Sequence, residues 1–236
     1  MALLYAALRD SQRYRGSGLE LVNLSVPGAT SADLVAPGGQ MEEALAEIER
    51  RAGGVQVITV DIGGTDLLTL ANRNSPCLSS TDTEECRRAV RRVLGDLQAD
   101  LTQLLRGLRQ AAPEALIVVV DLYNPFSGTG DPREGIAELG GGQINGVIGA
   151  AADDATLNVR LASVFQLFTG RGTIWIARDG IYPNHVGHAV IAEAVLAAID
   201  GRDPQIPERL LAGAASPDRG AASGRGDGVP FIALSF

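Results

Sequence analysis

A chain of 236 residues with 45% hydrophobic side chains has material for one large core and little room for two ordinary domains. Its formal charge of −8, with all 20 basic residues arginine, argues against a nucleic-acid partner, because neutralising phosphates needs clustered cations. Aromatic residues make up 4%, so the core is mostly Ala, Leu, Val and Ile, which suits helices packed on a buried parallel sheet.

The chain opens in a helical pattern at 2–9. Residues 1–8 are apolar, but Arg9 and Asp10 end the run and no cleavage site follows, so no signal peptide is visible. As written the chain is expected in the cytoplasm, and outside it if the true start lies upstream. No run approaches the length of a membrane span. Short β-branched runs bounded by Gly, Pro or Asp predict strands at 19–26 (LELVNLSV), 55–62 (VQVITVDI), 115–123 (ALIVVVDLY), 157–165 (LNVRLASVF) and 173–177 (TIWIA). Apolar residues at 3–4 spacing predict helices at 41–51, 84–111, 143–152 and 184–199, the last capped by Asn184 after Pro183. This alternation predicts βαβ units around a parallel sheet, with a binding crevice at the carboxyl ends of the strands. Residues 1–200 then form one α/β domain. The Gly-, Ala- and Pro-rich stretch 201–228 reads as a linker or tail, and 229–236 (VPFIALSF) as a strand that fits between the strands at 19–26 and 55–62.

Three loops lie where such a sheet puts its chemistry. Pro27-Gly28-Ala29-Thr30 follows the first strand, Asp61-Ile62-Gly63-Gly64-Thr65-Asp66 follows the second, and Asp179-Gly180-Ile181-Tyr182-Pro183-Asn184-His185 leads into the last helix. Each taken alone reads as a turn or a helix cap. The pair Cys77 and Cys86 flanks a polar loop and reads equally well as a bridge or as two thiols. Asp153-Asp154 has no His or Glu beside it, so it reads as a loop or helix end and not as a metal site. Arg87-Arg88 and Arg91-Arg92 read as a solvated helix face, and Arg225-Gly226-Asp227 as a chance tripeptide in a Gly-rich stretch.

In this order and placement, NLSVPGATSADL resembles the second motif block of the SGNH (GDSL-like) hydrolases, esterases and lipases with a serine nucleophile. VITVDIGGTDLL resembles their third block, IARDGIYPNHVGHAVIAEAVLAAI their fifth, and YNPFSG at 123–128 a branch of the family. The resemblance implies a three-layer α/β/α sandwich with a central parallel sheet, flavodoxin-like in order. It implies hydrolysis of a small-molecule ester or acyl substrate without metal or cofactor. Carried over, Gly28 becomes an oxyanion donor, Gly64 loop backbone beside it, and Asp179 the carboxylate that orients the catalytic histidine.

The departures are as specific as the matches. The family's opening strand with its G-D-S serine has no counterpart at the start of this chain. Tyr182 stands where the triad histidine is expected, and Thr65 where the oxyanion asparagine is expected. Tyrosine, with a pKa near 10, is a poor base at neutral pH, and loss of one oxyanion donor costs about 3–4 kcal/mol. Three explanations fit: a start upstream of Met1, a rearrangement in which 229–236 replaces the first strand, or a relative that keeps the cleft without hydrolysis. In a rebuilt site His185, one turn from Tyr182, would partner Asp179, while His188 caps or packs within the helix. Ser25, Ser31 and Ser235 are the serines nearest to a substitute nucleophile. The expected function is therefore an ester hydrolase impaired or inactive as written, with a non-catalytic binding relative as the alternative.

Overall fold

The computed structural model describes residues 2–11, 13–52, 54–70, 72, 74–77 and 80–211, together with the backbone of 230–235. In chain order the elements are α1 (Ala2–Asp10), β1 (Glu20–Asn23), α2 (Ser31–Val35), α3 (Gln40–Arg50) and β2 (Val57–Asp61). There follow α4 (Gly64–Leu70), α5 (Glu84–Ala111), β3 (Leu116–Val120), α6 (Glu134–Asp153) and β4 (Val159–Ala162). The chain continues through α7 (Phe165–Phe168), α8 (Gly172–Trp175), α9 (His185–Asp200) and α10 (Glu208–Leu211) to β5 (Pro230–Ser235). The strands form one parallel sheet in the order β1-β5-β2-β3-β4.

Period-two alternation divides the core into two layers. Ile58 and Val60 of β2, with Ile117 and Val119 of β3, pack under Ile48 of α3, Leu101, Leu104 and Leu108 of α5, and Ile148 of α6. On the other face Val57, Val118 and Val120 meet Leu4 and Leu8 of α1 and Val190, Val195 and Ile199 of α9. Each such side chain, fully buried, contributes about 1.5–3 kcal/mol. The resulting three-layer α/β/α sandwich is the architecture the motif order implies. Among the described residues no helix is long and apolar enough to cross a membrane.

Strand β5 pairs on both sides, Val22↔Ile232 with β1 and Ile58↔Ile232 with β2. Without a strand there, the facing edges of β1 and β2 would leave rows of backbone donors and acceptors unpaired. The segment before it, 212–229, lies outside the described residues, and so does the Arg225-Gly226-Asp227 tripeptide. Residues 201–211, where the composition already reads as a linker, pack on the domain: Leu210 is buried, and its carbonyl accepts from Trp175 Nε1 at 2.8 Å.

The helices at 84–111 and 184–199 form nearly as their spacing predicts. Thr83 caps α5 by accepting from the Cys86 amide, and Asn184 caps α9 by accepting from Val186 and Gly187. The expected strand at 173–177 does not form. The chain there turns through α8, with Trp175 N bonded to Arg171 O, and only Ile176 makes a bridge, to Pro183. Its apolar run serves to bury Trp175 against Phe168, edge to face with centroids 5.1 Å apart, and not to extend the sheet. Helix α6 begins nine residues before the predicted 143, its first half obscured by Gly135 and the low-propensity glycine run 140–142. Cys77 and Cys86 are bridged, both buried beneath the start of α5.

Candidate functional site

Because all strands run in parallel, the loops that follow them gather at one edge of the sheet, the crevice side of such a fold. The first wall is the turn after β1. Gly28 sits at φ +82° on the exposed outside of a turn closed by Ala29 N bonded to Val26 O. A side chain there would have open space and a strained backbone. Thr30 caps α2 in a reciprocal box, accepting from Asp33 N while Asp33 accepts from Thr30 N.

The second wall follows β2. Gly63 has φ +108° and a missing Cβ that would lie 3.2 Å from Ile144 of α6, so backbone and packing both require glycine there. Gly64 and the half-buried Thr65 open α4, where the first amides of a helix have no partner within it. Both oxyanion candidates from this loop thus stand at a helix N-terminus beside the crevice. Asp66, one residue on, is buried and accepts from the Ser31 amide, tying the second wall to the first.

The third wall holds Asp179, Tyr182 and His185, and it is organised differently. Asp179 accepts from the amides of Ile181 and Tyr182, both at 2.9 Å, and those bonds hold its carboxyl below the ordinary range. No hydrogen bond or ion pair joins Asp179 to His185, which lies exposed at the start of α9. His188, also exposed, points its Nδ1 at the Asn184 carbonyl, a cap within its own helix. Tyr182 is 40% exposed, and its side chain makes no hydrogen bond among the described residues.

Between the walls lies a group that sequence reasoning passed over. Asp61, the last residue of β2, pairs in register with Ser235 of β5. The residue keeps some exposure, but its carboxyl is walled in, and burial together with the nearby Asp121 charge pushes its pKa up to about 7. Asp121 accepts from Ser163 Oγ and from the amides of Val164 and Phe165, which fasten β3 to the start of α7. The phenol of Tyr123 donates to Ile181 O at 3.0 Å, and burial, with the charge of Asp61 next, pushes its pKa up strongly. The strings VITVD and LIVVVD show only that a carboxylate closes or follows each apolar strand; that these two carboxyls approach each other follows from the pairing of β2 with β3.

A shallow apolar pocket of about 50 Å³, partly open to solvent, runs from Gly64 past Leu67, Leu122, Tyr123 and Phe126 to Ile136. Asn145 braces its floor by bonding both the amide and the carbonyl of Leu122. The three candidate serines differ sharply. Ser31 is buried with its hydroxyl bonded to carboxylates, Ser25 donates to Asn23 Oδ1, and Ser235 ends β5 in register with Asp61. Among the described residues no cluster of three or more His, Cys, Asp or Glu could hold a metal ion.

A parallel sheet wrapped by helices on both faces, with glycine turns and an apolar pocket at its carboxyl edge, defines a three-layer α/β hydrolase-type scaffold. Residues 3–190 match the GDSL-like Lipase/Acylhydrolase family, and the chain belongs to it. Solved structures with this fold include the lipase Lip_vut3 from a goat rumen metagenome, at 20% identity and a TM-score of 0.52 over 67% of this chain and 73% of that one. LAE5, an alpha/beta hydrolase enzyme from the Lake Arreo metagenome, is 22% identical with a TM-score of 0.52 over 84% and 80% of the two chains. A putative GDSL-like lipase from Parabacteroides merdae is 15% identical with a TM-score of 0.50 over 73% and 69%. No curated protein matches the chain.

Proposed function

We propose that this family member binds small apolar acyl esters at the crevice and that its hydrolysis of them is impaired. The observation that carries the reading is the apolar pocket opening beside Gly64, which puts apolar side chains for an acyl group to lie against next to the loop that holds two oxyanion candidates. Impairment follows from the third wall. Ester hydrolysis needs a base within hydrogen-bond reach of a nucleophile, yet Asp179 is bonded to its own loop and Tyr182 stands in the histidine's place. The bonding of Asp179 to its own loop also favours the second reading, a binding relative without turnover.

The test is a series of straight-chain carboxylates from acetate to octanoate, the product class, in a thermal-shift assay. The expected result is stabilisation that grows with chain length and is lost in Ile136→Arg, which places a charge in the pocket wall. No shift with any chain length overturns the acyl-binding reading. Turnover of p-nitrophenyl butyrate at rates ordinary for an esterase overturns the impairment.

A further inference from the structure

Ser31 opens α2 directly after the Gly28 turn and is 2% exposed. Its amide donates to both oxygens of Asp66, at 3.2 and 3.0 Å. Its Oγ lies 2.9 Å from Asp66 Oδ1 and 2.8 Å from Asp100 Oδ2 on α5. A serine hydroxyl carries one hydrogen. It can be donated to one carboxylate only, so the second short contact needs a hydrogen supplied by a carboxyl group. With both carboxylates ionised, one of them would press its lone pairs against those of the hydroxyl, and two like charges would share one buried serine.

We propose that Asp66 keeps a proton and donates it from Oδ1 to Ser31 Oγ, that Ser31 donates onward to Asp100, and that this one-proton chain clamps the Gly28 turn to α4 and α5 and loosens when the proton leaves. The direction follows from burial. Asp66 is 8% exposed while Asp100 is less deeply buried, so the neutral form belongs on Asp66 and the charge on Asp100. Asp66 Oδ2 stays free to accept the Ser31 amide. Desolvation, and with it the Asp100 charge, raises the Asp66 pKa, while the Ser31 bonds oppose the rise.

Asp96, one turn before Asp100 on α5, is exposed to solvent, and the neighbouring acids of α2 and α6 are bonded elsewhere. Asp33 of α2 bonds back to Thr30, and Glu134 and Glu138 of α6 bond to Gly128 N and Asn124 Nδ2. Leu67 of α4 meets Gly140 of α6 through apolar contact. No ion pair among the described residues reaches Asp66 or Asp100. The clamp stands on its own geometry, and its consequence for catalysis rests on the reading of Gly28 as an oxyanion donor.

The experiment is a carboxyl-carbon NMR titration of the intact chain, with the protection factor of the Ser31 amide followed across the same pH range. Asp66 is expected to stay protonated well above the ordinary carboxylate range, and Ser31 protection to fall at least tenfold as that proton is lost. Asp66→Asn is the sharper variant, because its side-chain NH₂ donates to Ser31 Oγ as the acid does and does not titrate. Its Ser31 protection should stay level where the native chain loses it. Asp66 titrating in the ordinary range, or a pH-dependent loss of protection in Asp66→Asn equal to the native one, overturns the proposal. Should Asp66→Asn not fold, Asp100→Asn serves: removing that charge should bring the Asp66 titration down, and an unmoved titration counts against the chain of bonds. These readouts need no ligand, so they succeed or fail separately from acyl binding.

Discussion

The first and third walls of the crevice use their carboxylates differently. The Gly28 turn is fastened by long-range bonds: Ser31 reaches Asp66, 35 residues away, and Asp100, 69 residues away. The Asp179 carboxylate closes locally, on amides two and three residues ahead, with neither histidine bonded to it, and the Tyr123 phenol ties the loop to the sheet through Ile181 O. On the proposed reading, the oxyanion side of the cleft is tied in by a buried serine and two carboxylates, while the Asp179 carboxylate on the acid–base side is spent on its own turn.

The largest effect that bears on this contrast comes from Asp61, which sits between the two walls. Its folded pKa of about 7 lies above the unfolded value, so the folded state binds more protons and stability falls as pH rises from about 4 to 7. Asp61→Asn removes that penalty and should stabilise the protein above pH 7 by up to about 4 kcal/mol, while changing little near pH 4. Denaturant midpoints at the two pH values check it. Asp179 has the reverse sign: its lowered pKa stabilises above the ordinary carboxylate range, and that stability is lost as pH falls through the folded value.

Next comes the direct comparison of the two walls. Asp66→Ala strips the buried Ser31 amide of its acceptor and should cost about 2–3 kcal/mol. Asp179→Ala, at an exposed turn, should barely move the midpoint, and a loss there as large as that of Asp66→Ala would dissolve the contrast. Reducing the Cys77–Cys86 bridge, which closes a short loop beside the pocket, should cost about 2–3 kcal/mol in a redox-controlled melt. Below the bridge comes the pair of glycines. Gly28→Ala carries only the left-handed backbone penalty of about 1–2 kcal/mol, whereas Gly63→Ala adds its contact with Ile144 and should lose more.

Much of this arrangement was legible in the sequence, for identifiable reasons. The strands at β2 and β3 and the helices α5 and α9 carry unbroken periodicity and side-chain caps, and the motif blocks give their order. The turn positions Gly28 and Gly63 carry their own signal because no other residue fits those φ values without strain. What was not legible depends on partners distant in the chain. TIWIA has a strand's composition, yet the burial of Trp175 against Phe168 and the Leu210 carbonyl turns it into a helical corner. Nothing local in SADL says that its serine meets Asp66 and Asp100, and nothing in VITVD says that its carboxyl is walled in. The short α2, α4 and α10 are too brief for a period to show.

The most direct test of a retained cleft with impaired chemistry is labelling of the folded chain by a fluorophosphonate, followed by peptide mass spectrometry. The account predicts no stoichiometric adduct on Ser25, Ser31 or Ser235, in a protein that still responds to acyl ligands. A stoichiometric adduct on one serine would contradict it, naming a nucleophile and showing that the third wall, or a group such as Asp61, supplies a working base.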